Sequence, residues 1–177
     1  AGLTKRLKQL VKDQKVSMYS LLVATVDAYL YRISGQSDIV VGIPVAGRNH
    51  PDLEQQIGLY INTLALRTQI DPEDNLMSLL QKVKANILNG YENQNYPFDW
   101  LVDALEMERD YSRTPLYYVW VQFIEAEADA AVSFGLNDLK VSELELPVTA
   151  SKFDLSFYLE ESADEVELRL EYNTDLF

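Results

Sequence analysis

Ile57-Gly58-Leu59-Tyr60-Ile61-Asn62-Thr63-Leu64-Ala65-Leu66-Arg67 is the run whose reading decides the fold. Gly58 is free to adopt backbone angles closed to other residues. After it the chain alternates. Leu64 and Leu66 should face one way and Ala65 and Arg67 the other, the period of two of a half-buried strand. Asn62 stands where the run enters that strand, and its amide offers donors and an acceptor in an otherwise apolar setting. The simplest reading is a turn into a core strand, with Asn62 holding loop backbone.

The flanking segments supply helices to cover such a strand. Residues 3–14 read as an amphipathic helix with Leu3, Leu7, Leu10 and Val11 on one side. Ser17 suits the cap of a second helix, which places Met18, Leu21, Leu22, Thr25, Val26, Tyr29, Leu30 and Ile33 at helical spacing and ends at Gly35. Asp38 to Val45 is a nearly continuous apolar strand, expected to be central and covered on both faces, with Pro44 pointing to its end or to an irregular edge. A loop through His50 and a helical turn over Leu53–Ile57 lead into the organising run.

Beyond it, strand Thr63–Ile70 reaches the turn Asp71-Pro72-Glu73-Asp74. A helix from Asn75 to about Leu88 should turn Leu76, Leu79, Leu80, Val83 and Ile87 inward and Lys82 and Lys84 outward. Tyr91–Tyr96 reads as a polar, aromatic loop. Pro97 suits the first turn of another helix, with Phe98, Leu101, Val102 and Leu105 as its apolar side. Asp99 falls in that first turn, where a carboxylate favours the helix dipole without any catalytic duty. Arg109-Asp110-Tyr111-Ser112-Arg113 is a dense polar knot before Leu116–Ile124, the run richest in β-formers. Lys152–Glu160 and Glu165–Tyr172 alternate and read as a hairpin. The sum is a mixed α+β two-layer lobe, helices on one face of a mixed sheet of about five strands. Residues 125–151 have little periodic pattern and are expected to be poorly ordered or paired with another copy.

The inventory excludes several chemistries. The chain has 177 residues, 47% of them apolar, enough for one domain with a real core. A formal charge of −13 argues against nucleic acid and anionic membranes as partners. The charge is uneven: Lys5, Arg6, Lys8, Lys12 and Lys15 make the first segment basic, either as a solvated face or as a surface for an acidic partner. No apolar run approaches the roughly 20 residues of a membrane-spanning helix, and no secretory signal is legible at the start. There is no cysteine, which is compatible with a cytoplasmic protein. No clustered ligand spacing points to a metal, and no phosphate-binding loop is present. The one histidine, His50, lies between asparagine and proline in a polar loop and reads as a surface residue rather than a general base. Without a base in reach, Ser112 is better read as holding turn backbone than as a nucleophile.

Four stretches together resemble the condensation domains of nonribosomal peptide synthetases: DIVVGIPVAGR at 38–48, IGLYINTLALR at 57–67, NQNYPFD at 93–99 and RDYSRTPL at 109–116. The family patterns IGxFVNTxxxR, HQxxPFExxV and RDxSRxPLF occur in this order and at this spacing. The family's catalytic HHxxxDG is absent, so the resemblance implies the C-terminal half of such a domain, a chloramphenicol-acetyltransferase-like lobe cut at both ends. By resemblance, the whole domain forms an amide bond between acyl or peptidyl and aminoacyl thioesters. These are carried on the phosphopantetheine arms of upstream and downstream carrier proteins, and no cofactor is held directly. This half would supply tunnel wall and floor, with Tyr60, Asn62, Arg67, Gln94 and Asp99 near the tunnel. Gly58, Arg109, Asp110, Ser112 and Arg113 would be organisers, and no catalytic residue would lie in this chain. Its partners would be the N-terminal half, the carrier proteins and adjacent synthetase domains. Asn93 departs from the family's usual histidine. The INTLALR run is more similar to condensing members than to epimerisation or heterocyclisation relatives. The alternative is a non-catalytic lobe that docks a carrier protein or scaffolds neighbouring domains.

Overall fold

The structure, a computed structural model, describes residues 2–107, 113–125, 150–162 and 165–177. The chain runs α1 (Gly2–Gln14), α2 (Met18–Ser34), β1 (Asp38–Val45), α3 (Pro51–Glu54), β2 (Asn62–Gln69), α4 (Leu76–Glu92), α5 (Phe98–Ala104), β3 (Val119–Glu125), β4 (Leu155–Glu161) and β5 (Val166–Tyr172). The strands form one mixed sheet of five in the order β2-β1-β3-β4-β5. β1 pairs antiparallel with β2 and parallel with β3, β3 runs parallel to β4, and the β4–β5 pair is the expected antiparallel hairpin. β1 is therefore interior, second in the order.

The local signals explain the helix ends. The Ser17 hydroxyl accepts the Ser20 N–H, and Gly35 closes α2 in the left-handed region at φ 70°. Asn75 caps α4 by accepting from Met77 and Ser78 N–H. The Asp71–Asp74 turn closes through the Asp74 N–H to the Asp71 carbonyl at 2.8 Å. Lys82, expected on the outer side of α4, reaches back to the Asp74 carboxylate. That contact, with bonds from Asp71 N–H and Ser78, holds the Asp74 carboxyl down at about 2.

Several boundaries differ from the sequence expectation. α4 continues to Glu92, so Tyr91 is helical rather than part of a loop. Pro97 caps α5 from outside, with extended angles, instead of lying in its first turn. β3 starts at Val119 because Leu116 sits at φ 72°, which no strand accommodates. The amphipathic stripes also widen or shrink. Leu76 and Leu105 are exposed, as is Leu3. In α2 the exposed residues include Tyr29 and Ile33, while Val23, Ala24 and Asp27 are buried. α2 touches α1, α4 and β1 at once, so its buried arc is broader than one stripe.

The core joins α2 and α4 to the sheet through Val23, Val26, Val41, Ile43, Leu80, Val83 and Val121 among others. On the opposite sheet face, Tyr117 lies over Gly42, and Trp120 stacks on Phe153 with ring centroids 5.0 Å apart. A Cβ on Gly42 would stand 2.2 Å from the Tyr117 ring, which is itself buried and wedged between Phe98 and Phe153. Gly42→Ala should therefore cost about 1–3 kcal/mol by overpacking. Urea unfolding would check this. A loss under about 0.5 kcal/mol would mean that the ring moves aside freely.

Candidate functional site

The long loop after β1 is built by a residue the sequence reading passed over. Arg48 donates from its guanidinium to the carbonyls of Leu53, of Gln56 at 2.8 Å and of Gly58 at 3.2 Å. Its guanidinium carbon also lies 4.4 Å from the centre of the Tyr60 ring. One planar cation thus satisfies three loop carbonyls and packs on an aromatic face. The signal was present, since Arg48 ends the VAGR stretch, but nothing in the sequence tells an arginine that holds a loop from one in solvent. Gly47 is the left-handed residue of this loop, at φ 64°, and a Cβ there would stand 1.9 Å from the Tyr60 carbonyl oxygen. The expectation of special backbone angles at Gly58 is corrected: Gly58 is not among the positive-φ glycines, and a Cβ there would meet the Tyr60 ring at 3.0 Å. The Tyr60 hydroxyl donates to the Gln56 side chain at 2.6 Å.

Asn62 ties this loop to the second motif. Its Nδ2 donates to the carbonyls of Gln94 and Tyr96, each at 2.8 Å, and its Oδ1 accepts the Phe98 N–H at 3.3 Å. All three partners lie in or beside the NQNYPFD stretch. Asn49 adds a bond to the Asn95 side chain at 2.9 Å. Asn62 therefore holds loop backbone, and the loop is the one more than thirty residues downstream. The Gln94 amide turns back to the Tyr91 carbonyl at 2.8 Å and closes the end of α4. Asp99 is exposed in the first turn of α5.

Arg67 does not join this cluster. It is exposed and pairs with Asp38 on the neighbouring strand through contacts of 2.6, 2.8 and 3.1 Å. Arg67 stands opposite Val40, so Asp38 is its diagonal neighbour on the same sheet face. The guanidinium holds the Asp38 carboxyl below its usual range. Arg113 likewise lies elsewhere, 3.7 Å from the Asp154 carboxylate and 5.0 Å from the Tyr118 ring centre. Arg109, Asp110 and Ser112 lie outside the described residues, as do residues 126–149 of the long segment expected to be poorly ordered or paired.

The interlocked loops present an apolar face. Ile57, Leu59 and Ile61 are 104%, 90% and 66% exposed, and Tyr96 and Trp100, in and just after the second motif, are half exposed or more. Tyr96 and Trp100 meet edge to face at 6.3 Å. Among the described residues no histidine base converges on this face: His50 is exposed and caps α3, accepting the Asp52 N–H at 3.3 Å. Among the described residues no group of three or more His, Asp or Glu side chains could hold a metal ion. No helix among them is long and apolar enough to cross a membrane.

The mixed five-stranded sheet with its packed helices is an architecture shared with solved synthetase domains. It superposes with a TM-score of 0.85 on a four-domain nonribosomal peptide synthetase, holo-AB3403 bound to AMP and glycine, covering 99% of this chain and 14% of that one at 24% identity. The X-domain of teicoplanin biosynthesis, in complex with OxyB, matches with a TM-score of 0.83 at 26% identity, over 97% of this chain and 38% of that one. The family model for the condensation domain matches residues 1–177, and the chain belongs to that family. Curated relatives include bacitracin synthase 2 of Bacillus licheniformis, 42% identical over 175 residues, and gramicidin S synthase 2 of Brevibacillus brevis, 38% identical over 175 residues. The chain is covered to 99% in both, and spans 7% and 4% of their lengths.

Proposed function

We propose that this chain is the C-terminal lobe of a condensation domain, and that the assembled domain forms amide bonds in nonribosomal peptide synthesis. The observation that carries the reading is the pair of interlocked loops, which hold three aliphatic side chains, Ile57, Leu59 and Ile61, out in solvent. A rigid apolar loop of this kind is a contact face. Burying each side chain against a companion lobe would contribute about 1.5–3 kcal/mol. The companion is the N-terminal half, carrying the HHxxxDG histidine that this sequence does not contain.

In the assembled domain the amine of one carrier-bound aminoacyl group attacks the thioester carbonyl of the other. The C–N bond forms, the C–S bond breaks, the thiol of the donor arm is released, and the histidine of the companion lobe holds the amine or takes its proton. Tyr60, Asn62, Gln94 and Asp99 line or support the tunnel wall, and Arg67 stands on the strand behind them. Their contribution is orientation and fixed dipoles in a site that excludes water. Acyl groups arrive on phosphopantetheine arms of upstream and downstream carrier proteins, and the complex works in the cytoplasm.

The test is complementation. The chain is mixed with the separately expressed N-terminal half and with donor- and acceptor-loaded carrier proteins, and the new amide is read by intact mass. Product with both halves and with neither alone is the expected result. No product from folded, associated halves, beside an active intact domain, overturns it. That outcome would favour the second reading, a non-catalytic docking lobe. The likeness to an X-domain found in complex with OxyB favours the same alternative.

A further inference from the structure

β2 is an edge strand, and its outer side is open over part of its length. The Ile70 N–H turns inward to the Ser37 carbonyl at 2.7 Å, whereas the Arg67 carbonyl accepts from Asn86 Nδ2 at 2.9 Å and the Gln69 carbonyl from Lys82 Nζ at 3.4 Å. Odd-numbered residues of β2 therefore aim their backbone groups outward, as alternation in an antiparallel pair requires. The N–H and C=O of Thr63 and Ala65 and the N–H of Arg67 face outward with no partner among the described residues. Exposed edges are normally blunted by lysine, proline or a covering element. Thr63-Leu64-Ala65-Leu66 carries none of those residues.

These groups stand at the floor of a groove of about 460 Å³. One wall is α4 with Asn89, extended by its C-cap Asn93; the other is the α5 side, with Phe98 and Leu101. Gly90 sets α4 close to β2, since a Cβ there would lie 3.2 Å from the methyls of Leu64 and Leu66. The floor is a row of alternating partial charges at strand spacing. Its electrostatic complement is a chain of amides with the same repeat of roughly 3.4 Å per residue. Successive side chains of an added strand would point alternately to the two walls, polar carboxamides on one and apolar rings and methyls on the other.

We propose that this groove docks an extended segment of a partner polypeptide as a sixth strand on β2. The segment alternates small polar and branched apolar residues and extends over roughly three to five positions. This site is separate from the apolar face at Ile57–Ile61 and does not depend on the reaction the domain performs.

The probe is the peptide acetyl-Thr-Val-Thr-Val-Thr-amide, titrated into the isotope-labelled chain and followed by backbone amide spectra and hydrogen exchange. The expected result is shifts centred on Thr63, Ala65 and Arg67, with at least about tenfold slower exchange of those amides. Two further peptides carry N-methyl groups on the odd or on the even backbone nitrogens. Strand pairing requires that one of them bind at least about tenfold more weakly and the other about as well as the parent. Equal binding of both, or shifts confined to other elements, overturns the proposal. The same amides protected without peptide, in a species of doubled mass, would assign the edge to a second copy of the chain and overturn it. So would shifts at these residues evoked by pantetheine but not by the peptide.

Discussion

Asn62→Ala is expected to lower the stability of the chain by about 3 kcal/mol, at about 1 kcal/mol for each of the three hydrogen bonds its amide makes. The loss would leave the Gln94 and Tyr96 carbonyls and the Phe98 N–H without their shared partner. Asn62→Asp should be worse than alanine. It keeps the acceptor for Phe98 but sets a carboxylate against two carbonyl oxygens, and no proton remains to donate to them. Urea unfolding reads the energy, and hydrogen exchange at Phe98 reads the loop. Faster exchange at Phe98 together with the stability loss is the expected pair. If both variants keep wild-type stability and protection, the amide is free for a substrate and the loops are held by other means.

The second large effect concerns a group no motif contains. Asp27 is fully buried on α2, and neither carboxylate oxygen has a hydrogen-bond partner. Burial pushes its carboxyl up to about 7, and the Thr68 hydroxyl nearby pulls the other way without reaching hydrogen-bond geometry. The folded state therefore keeps a proton that the unfolded chain has released above about pH 4. Unfolding releases that proton, so stability falls as pH rises between about 4 and 7 and is then level with respect to this group. From pH 5.5 to 8 the loss is roughly 2 kcal/mol, at 1.36 kcal/mol per unit up to the folded value. A carboxamide at this position has no proton to lose in this range, so Asp27→Asn should remove this slope. Unfolding free energies of both proteins at the two pH values check it. Parallel pH profiles would show that Asp27 ionises in the folded protein much as it does in water.

The two effects differ in how far the sequence foretold them. Asn62 was visible because it interrupts an apolar run at a strand entrance, and an amide there must bond to something. The sequence could not say what, since its partners lie more than thirty residues away. Asp27 was invisible. Its position in α2 falls outside the apolar stripe, and periodicity assigns such a carboxylate to solvent. It is buried because α2 packs against α1, α4 and the sheet together. For the same reason Val23 and Ala24, which were not singled out, are buried; Leu76, expected inside, is exposed at the first position of α4.

By itself, the sequence determined the alternating strands, the capped helices, the hairpin and the order of the family's motifs. These depend on residues within a few positions of one another: Ser17 and Gly35 at the ends of α2, Asn75 ahead of α4, the period of two through Leu64 and Leu66. Only the tertiary structure decided the rest. It placed β1 between an antiparallel and a parallel neighbour, made Arg48 the clamp of its loop, joined Asn62 to residues 94–98, and left Thr63 and Ala65 open along the β2 edge. Each of those outcomes is set by a hydrogen bond or a packing contact between residues far apart in the chain, and local preference carries no information about which distant group will arrive.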